Sequence, residues 1–155
     1  MWVPLEVKDP VLRHHPTRKS VAYCGAVRLR DGKFFFLRES ARFNAETTWH
    51  FLVQLRQRSL ASGRRVVVII DNAKYHHAKL HASWRAQAEP DFSLHYLPPY
   101  SPELNPIERV WKLTRRLCLH NRYFPELTGV IEVVEEQFAT WTRGNETLRR
   151  LCSIV

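Results

Sequence analysis

Apolar and polar positions change period several times along the chain, and each change predicts an element. Residues 1–18 show no period, and Pro4, Pro10 and Pro16 punctuate them, so they read as an extended arm or loop. From Lys19 the pattern becomes that of a strand: Val21, Tyr23, Gly25 and Val27 alternate with Ala22, Cys24 and Ala26. Both faces are mostly apolar, as in a strand well inside a sheet. Asp31-Gly32 is a two-residue hairpin signal, which makes Lys33-Phe34-Phe35-Phe36-Leu37 the returning strand. Asn44 is placed to cap a helix through about Ala61, with Thr48, Trp49, Leu52, Leu55 and Leu60 at helical spacing. Gly63 ends it.

Val66-Val67-Val68-Ile69-Ile70 follows, a run of branched apolar residues closed by Asp71. It predicts a central strand buried on both faces. A helix from about His77 to Gln87 and a short strand at Phe92–Leu97 come next. The linker Pro98-Pro99-Tyr100-Ser101-Pro102 cannot be regular structure, because prolines fix φ and remove donors. Asn105-Pro106-Ile107-Glu108 then opens a helix to about His120: Asn caps, Pro takes the first helical position, and Glu can reach back to the cap. Ile107, Trp111, Leu117 and Cys118 would be its buried face. A last helix from about Pro125 places Leu127, Ile131, Val134, Phe138 and Trp141 on one stripe. The order of elements predicts a single α/β domain.

Composition narrows the class. A chain of 155 residues with 45% hydrophobic and 12% aromatic residues has the material for one packed core. No apolar run approaches the roughly 18 residues of a membrane span, and the N-terminus lacks a secretory layout. A soluble protein of the cytoplasm is expected. Cys24, Cys118 and Cys152 form no CxxC pair and read as small buried hydrophobes. Twenty-four Lys and Arg against fifteen Asp and Glu give a net charge of +9, which favours a polyanionic partner, nucleic acid first.

Two carboxylates stand out. Asp71 follows an apolar strand, where open α/β sheets keep functional groups, although Asp71-Asn72 is equally a turn. Glu108 lies in the first turn of a helix behind a rigid loop, although its place in a capping box accounts for it too. Held opposite each other on rigid elements, the two would supply the hard oxygen ligands that Mg²⁺ requires.

The blocks Ile69-Ile70-Asp71-Asn72-Ala73-Lys74-Tyr75-His76 and Leu97-Pro98-Pro99-Tyr100-Ser101-Pro102-Glu103-Leu104-Asn105-Pro106-Ile107-Glu108-Arg109-Val110-Trp111 resemble the DDE transposases of the mariner and insertion-sequence-630 type. The resemblance extends back through Tyr23-Cys24-Gly25-Ala26 and the Phe51-Leu52 helix, over roughly residues 2–120. It implies a ribonuclease H-like fold, a mixed sheet flanked by helices. It also implies that Asp71 and Glu108, with 36 residues between them, are the second and third acidic ligands of a triad. The implied cofactor is Mg²⁺ or Mn²⁺, two ions in a complete site, and the implied chemistry is cleavage and transfer of double-stranded DNA. Asn72, His76 and Asn105 match motif positions beside the site, as positioning residues. Arg109, Lys112 and Arg116 form a basic strip beside Glu108 suited to phosphates, an ordinary solvated helix face being the plain alternative. Arg13, Arg18 and Lys19 could likewise reach a DNA backbone. In mariner relatives the segment before the hairpin can join subunits, so a homodimer is compatible with the resemblance.

One departure from the family pattern stands out. The first Asp of the triad belongs on the first strand of the sheet, upstream of the hairpin at residues 19–38. Asp9 in the Pro-flanked arm and Asp31 in the turn are the upstream Asp residues, and neither reads as strand-borne. The expectation is a catalytic domain lacking its first strand, weak or inactive as a nuclease by itself. A non-catalytic DNA-binding remnant is the main alternative. A zinc module is another: His77 and His81 stand four apart with His76 adjacent, but no HExxH pattern or third ligand accompanies them.

Overall fold

The structure is a computed structural model, and it describes residues 19–39, 44–73 and 82–153. The expected arm at residues 1–18, including Arg13 and Arg18, lies outside them, as do His76, His77 and His81. The order of elements follows the expected one: strands β1 (Ala22–Arg28) and β2 (Lys33–Glu39), helix α1 (Ala45–Leu60), strand β3 (Val66–Ile70), helix α2 (Ala82–Ala88) and strand β4 (Phe92–Tyr96). Helices α3 (Pro106–Thr114), α4 (Leu127–Thr140) and α5 (Glu146–Cys152) complete it.

The strands of the described residues form two pairs and not one continuous mixed sheet. β1 and β2 are antiparallel, with Arg28 opposite Lys33. The connection is therefore the four residues 29–32, longer than the two-residue turn that Asp31-Gly32 suggested. Local chemistry sets that length. Arg28 Nε donates to Asp31 Oδ1 at 2.8 Å and Lys33 N to the same oxygen at 3.2 Å. Gly32, at φ 68°, closes the loop by donating its N–H to Arg28 O. β3 and β4 are parallel, with Ile70 beside Tyr96.

Each pair carries its own apolar cluster. Leu52 of α1, Ala88 of α2 and Phe92 of β4 are buried together, with Val66 and Val68 against them. Asn44 caps α1 as expected: its Oδ1 accepts from Thr47 N at 2.9 Å. On the hairpin, Phe34 is buried among Val110, Leu113, Cys118, Val134, Phe138, Trp141, Leu148 and Cys152. Helices α3, α4 and α5, with the turn after α3 and the cap of α4, supply those partners. The sequence reading did not include α5, which begins at Asn145, whose Oδ1 accepts from Leu148 N at 2.9 Å.

Two expectations about burial fail for physical reasons. β3 is not buried on both faces: Val67 and Ile69 are 55% and 42% exposed, because the helices cover only the face carrying Val66 and Val68. Leu117 is exposed while Cys118 is buried. Past Thr114 the helix continues as a π-turn, Arg115–Leu119, in which His120 N donates to Arg115 O. That extra residue per turn keeps position 118 on the core side, as expected, and turns 117 outward.

Gly25 is required by close packing. A Cβ built there would lie 2.5 Å from Trp111 Cη2 and 3.1 Å from Phe34 Cζ. Trp111 is itself wedged edge-on against Phe34. Gly25→Ala should cost about 1–3 kcal/mol by overpacking, read as a lowered Tm in thermal unfolding, with Gly63→Ala on the open α1 exit (no atom within 4 Å of the added Cβ, but φ 63°) reporting backbone strain alone.

Tyr23 gives a second test. Burial, then the nearby Glu135 carboxylate, pushes its phenol up to about 12. Because the folded value is raised above the ordinary one near 10, the stability this shift contributes is complete below pH 10. It is lost as pH rises through 12. Denaturant titrations at pH 9 and 11 should show lower stability at pH 11, and Tyr23→Phe should lessen that drop.

Candidate functional site

The two strand pairs meet at a cleft of about 660 Å³. Residues 23–28 of β1 and 66–70 of β3 both line it. Among the described residues each of these strands is hydrogen-bonded to one neighbour, β2 or β4. The parallel pairing of β3 with β4 carries on past the strands, since Leu97 N donates to Ile70 O at 2.8 Å. The chain therefore leaves β4 right beside Asp71.

Asp71 is exposed at the end of β3, and its Oδ1 accepts from Ala73 N at 3.1 Å. That bond is the turn role the sequence allowed, and a carboxylate has the lone pairs to accept it and also face a cation. Seven residues, Pro98–Leu104, then bring the chain to Asn105, where α3 starts. Asn105 is buried, and its Oδ1 accepts from Ile107 N. The backbone N–H of Asn105 donates to Pro102 O at 3.0 Å. This settles the question of the capping box: the amide that Glu108 would have reached is already used, and the Glu108 carboxylate is not needed as a cap. Glu108 instead lines the cleft with Asp71, Asn105, Pro106 and Ile107.

Asp71, Glu108 and Asn105 are thus brought to one cleft. Asn72 lies next to Asp71 and is exposed. The expected basic strip is exposed at Arg109 and Lys112 of α3 and at Arg116 of the π-turn that follows it. Arg109 has a second employment, donating to Leu151 O at 3.0 Å and to Ser153 O at 3.3 Å, which ties α3 to the end of α5. Lys19 is exposed at the start of the described chain. Sequence reasoning missed Arg28, Arg30, Arg58, Arg64 and Arg65, which also line the cleft. Arg64-Arg65 directly before the apolar run was the signal available for two of them.

The donor set fits a hard divalent cation in kind: two carboxylates, with an amide beside them. It is short in number. Among the described residues no three His, Cys, Asp or Glu side chains come together as a metal site. Asp31 does not help. The Arg28 guanidinium beside it holds its carboxyl below the usual carboxylate range, and the two side chains are paired in the hairpin loop. Cys24 lines the cleft, but burial pushes its thiol up to about 11, so it is protonated at neutral pH and is no nucleophile. Cys118 and Cys152 are buried, as expected of small hydrophobes. No helix among the described residues is long and apolar enough to cross a membrane.

Comparison with known proteins gives this geometry a family. The chain is similar to the uncharacterized protein y4pE/y4sA of Sinorhizobium fredii (strain NBRC 101917 / NGR234), 35% identical over 74 residues, which are 48% of this chain and 51% of the relative. The match thus spans about half the length of that relative. The fold is similar to that of the Mos1 mariner paired end complex with Mn, at a TM-score of 0.67 and 20% identity over 98% of this chain and 46% of that one. It is also similar to the Mos1 strand transfer complex, at 0.65 and 22% identity, over 98% of this chain and 44% of that one. The model of a family described as "DDE superfamily endonuclease" matches residues 2–131. That match bears out the resemblance carried by the Asp71 and Glu108 blocks: the chain belongs to the DDE superfamily endonucleases.

Proposed function

We propose that this chain is the catalytic part of a cut-and-paste DNA transposase, cleaving and joining DNA strands by metal-dependent phosphoryl transfer. The observation that carries this reading is that Asp71 and Glu108, far apart in sequence, line one cleft in a chain of the DDE family. The Mos1 structures with a similar fold are a strand transfer complex and a paired end complex with Mn. By analogy we assign strand transfer, and Mg²⁺ or Mn²⁺, to this chain.

In this reading Asp71 and Glu108 hold the ions, each from a rigid element. The pairing of Leu97 with Ile70 fixes the strand end, and Asn105 fixes the helix start. A bound pair of such ions supplies a nucleophile activated at neutral pH and a Lewis acid at the leaving oxygen. Asn105 keeps Glu108 aimed by bonding the first turn of α3. Asn72 and His76 are assigned positioning roles beside it. Lys112 and Arg116 take DNA phosphates, and the net charge of +9 favours that contact. The arginines that line the cleft widen the basic surface around it, whereas Arg109 serves first to anchor α5. Arg13, Arg18 and Lys19 are assigned to the DNA backbone.

The first acidic ligand of the triad would stand on a strand between β1 and β3. Support comes from the open cleft that both strands line together with Asp71 and Glu108. Among the described residues two carboxylates face the site, and two alone hold ions weakly and cleave slowly. A non-catalytic DNA-binding remnant is the competing reading, favoured by the lack of a three-residue metal cluster among the described residues.

The test is nicking of supercoiled DNA with Mg²⁺ or Mn²⁺, beside Mn²⁺ titration by calorimetry. The full chain should bind Mn²⁺ and nick slowly. Asp71→Asn and Glu108→Gln should each remove Mn²⁺ binding and lower nicking by about a hundred-fold or more, the scale seen when a group that stabilises the transition state is lost. DNA binding without Mn²⁺ binding would favour the remnant. Rapid cleavage that Asp71→Asn abolishes would show that a third ligand already lies within this chain.

A further inference from the structure

Tyr100 is the most exposed of the large hydrophobic side chains described: its relative exposure is 101%, that of a tyrosine with nothing packed on it. It also has φ 58°, in the left-handed region that L residues other than Asn and Asp rarely enter. A residue with a Cβ in that conformation, with its ring in water, contributes nothing to the core. Its loop is nevertheless built to hold it. Pro98, Pro99 and Pro102 fix φ on both sides. Ser101 Oγ donates to Pro99 O at 3.3 Å, and Leu104 N donates to Ser101 O at 3.2 Å.

The position of this loop matters as much as its stiffness. It leaves β4 at Leu97, which is bonded to Ile70 next to Asp71, and it ends at Asn105, which caps the helix of Glu108. Three residues of extended chain reach roughly 10 Å, so Tyr100 stands within about that distance of Leu97, the residue bonded to Ile70 beside Asp71. Leu104, 51% exposed on the same loop, adds an apolar surface. A rigid, outward aromatic ring beside a phosphate-binding site is what an unpaired base needs as a stacking partner.

We propose that Tyr100 is a positioning residue on which an unpaired base, next to the phosphate at the Asp71–Glu108 end of the cleft, stacks. This rests on the reading of the cleft as a DNA site. The phenol hydroxyl is not needed for stacking, so phenylalanine replaces tyrosine and alanine does not.

The experiment uses the full chain without divalent ions and two DNA probes: a blunt duplex, and the same duplex with a short single-stranded end carrying 2-aminopurine at its first unpaired position. The wild type and Tyr100→Phe should quench 2-aminopurine fluorescence on binding. Tyr100→Ala should leave it bright and bind the single-stranded end about ten-fold more weakly, with blunt-duplex affinity and circular dichroism unchanged. Quenching by Tyr100→Ala equal to the wild type overturns the proposal while leaving the DNA reading intact. So does a Tyr100→Ala effect confined to self-association in sedimentation, which would make the ring a protein contact. Failure of every variant to bind either probe overturns the DNA reading and the stacking role together.

Discussion

The parallel pairing of β3 with β4 is the constraint on which the rest of the site depends. Its register sets Ile70 beside Tyr96 and extends to the Leu97–Ile70 hydrogen bond. A slip of one residue would turn every side chain of β3 to the opposite face. It would also draw Asp71 away from the loop that leads to Glu108. The cluster of Leu52, Ala88 and Phe92 against Val66 and Val68 holds this register from one side. The packing is ordinary, and what it fixes is the meeting of two distant parts of the chain.

Around that pair the helices have different tasks. α1 and α2 cover the face of β3 that bears Val66 and Val68. α3, α4 and α5 cover the hairpin and enclose Phe34, Phe138 and Trp141. Trp111 reaches from α3 to the backbone of Gly25, so the helix that carries Glu108 is seated directly on β1. Arg109 fastens the same helix to the end of α5. The cleft thus lies where two separately packed halves of the fold adjoin, a place where α/β proteins commonly bind ligands.

Much of this was legible in the sequence because it is written in local chemistry. Asn44 before α1, Asn105-Pro106 before α3, and the branched run ending at Asp71 each act within a few residues, and each appears where expected. What the sequence concealed depends on distant contacts. The exposure of Val67 and Ile69 follows from which face the helices cover, which a run of five apolar residues cannot express. The exposure of Leu117 follows from a π-turn that shifts the helical period. The commitment of the Asn105 amide to Pro102, which releases Glu108 from capping, is a matter of loop geometry. α5 went unread because seven residues carry too little period, although Asn145 was a usable cap.

The account stands on Asp71 and Glu108 closing on the same ions. Crystals of the full chain equilibrated with Mn²⁺, measured by anomalous diffraction, test this directly. The predicted result is a Mn²⁺ peak bonded to oxygens of both side chains at about 2.1 Å, the distance of hard octahedral coordination. Density that places Mn²⁺ elsewhere, or side chains of Asp71 and Glu108 that turn away from each other at saturating Mn²⁺, would contradict it.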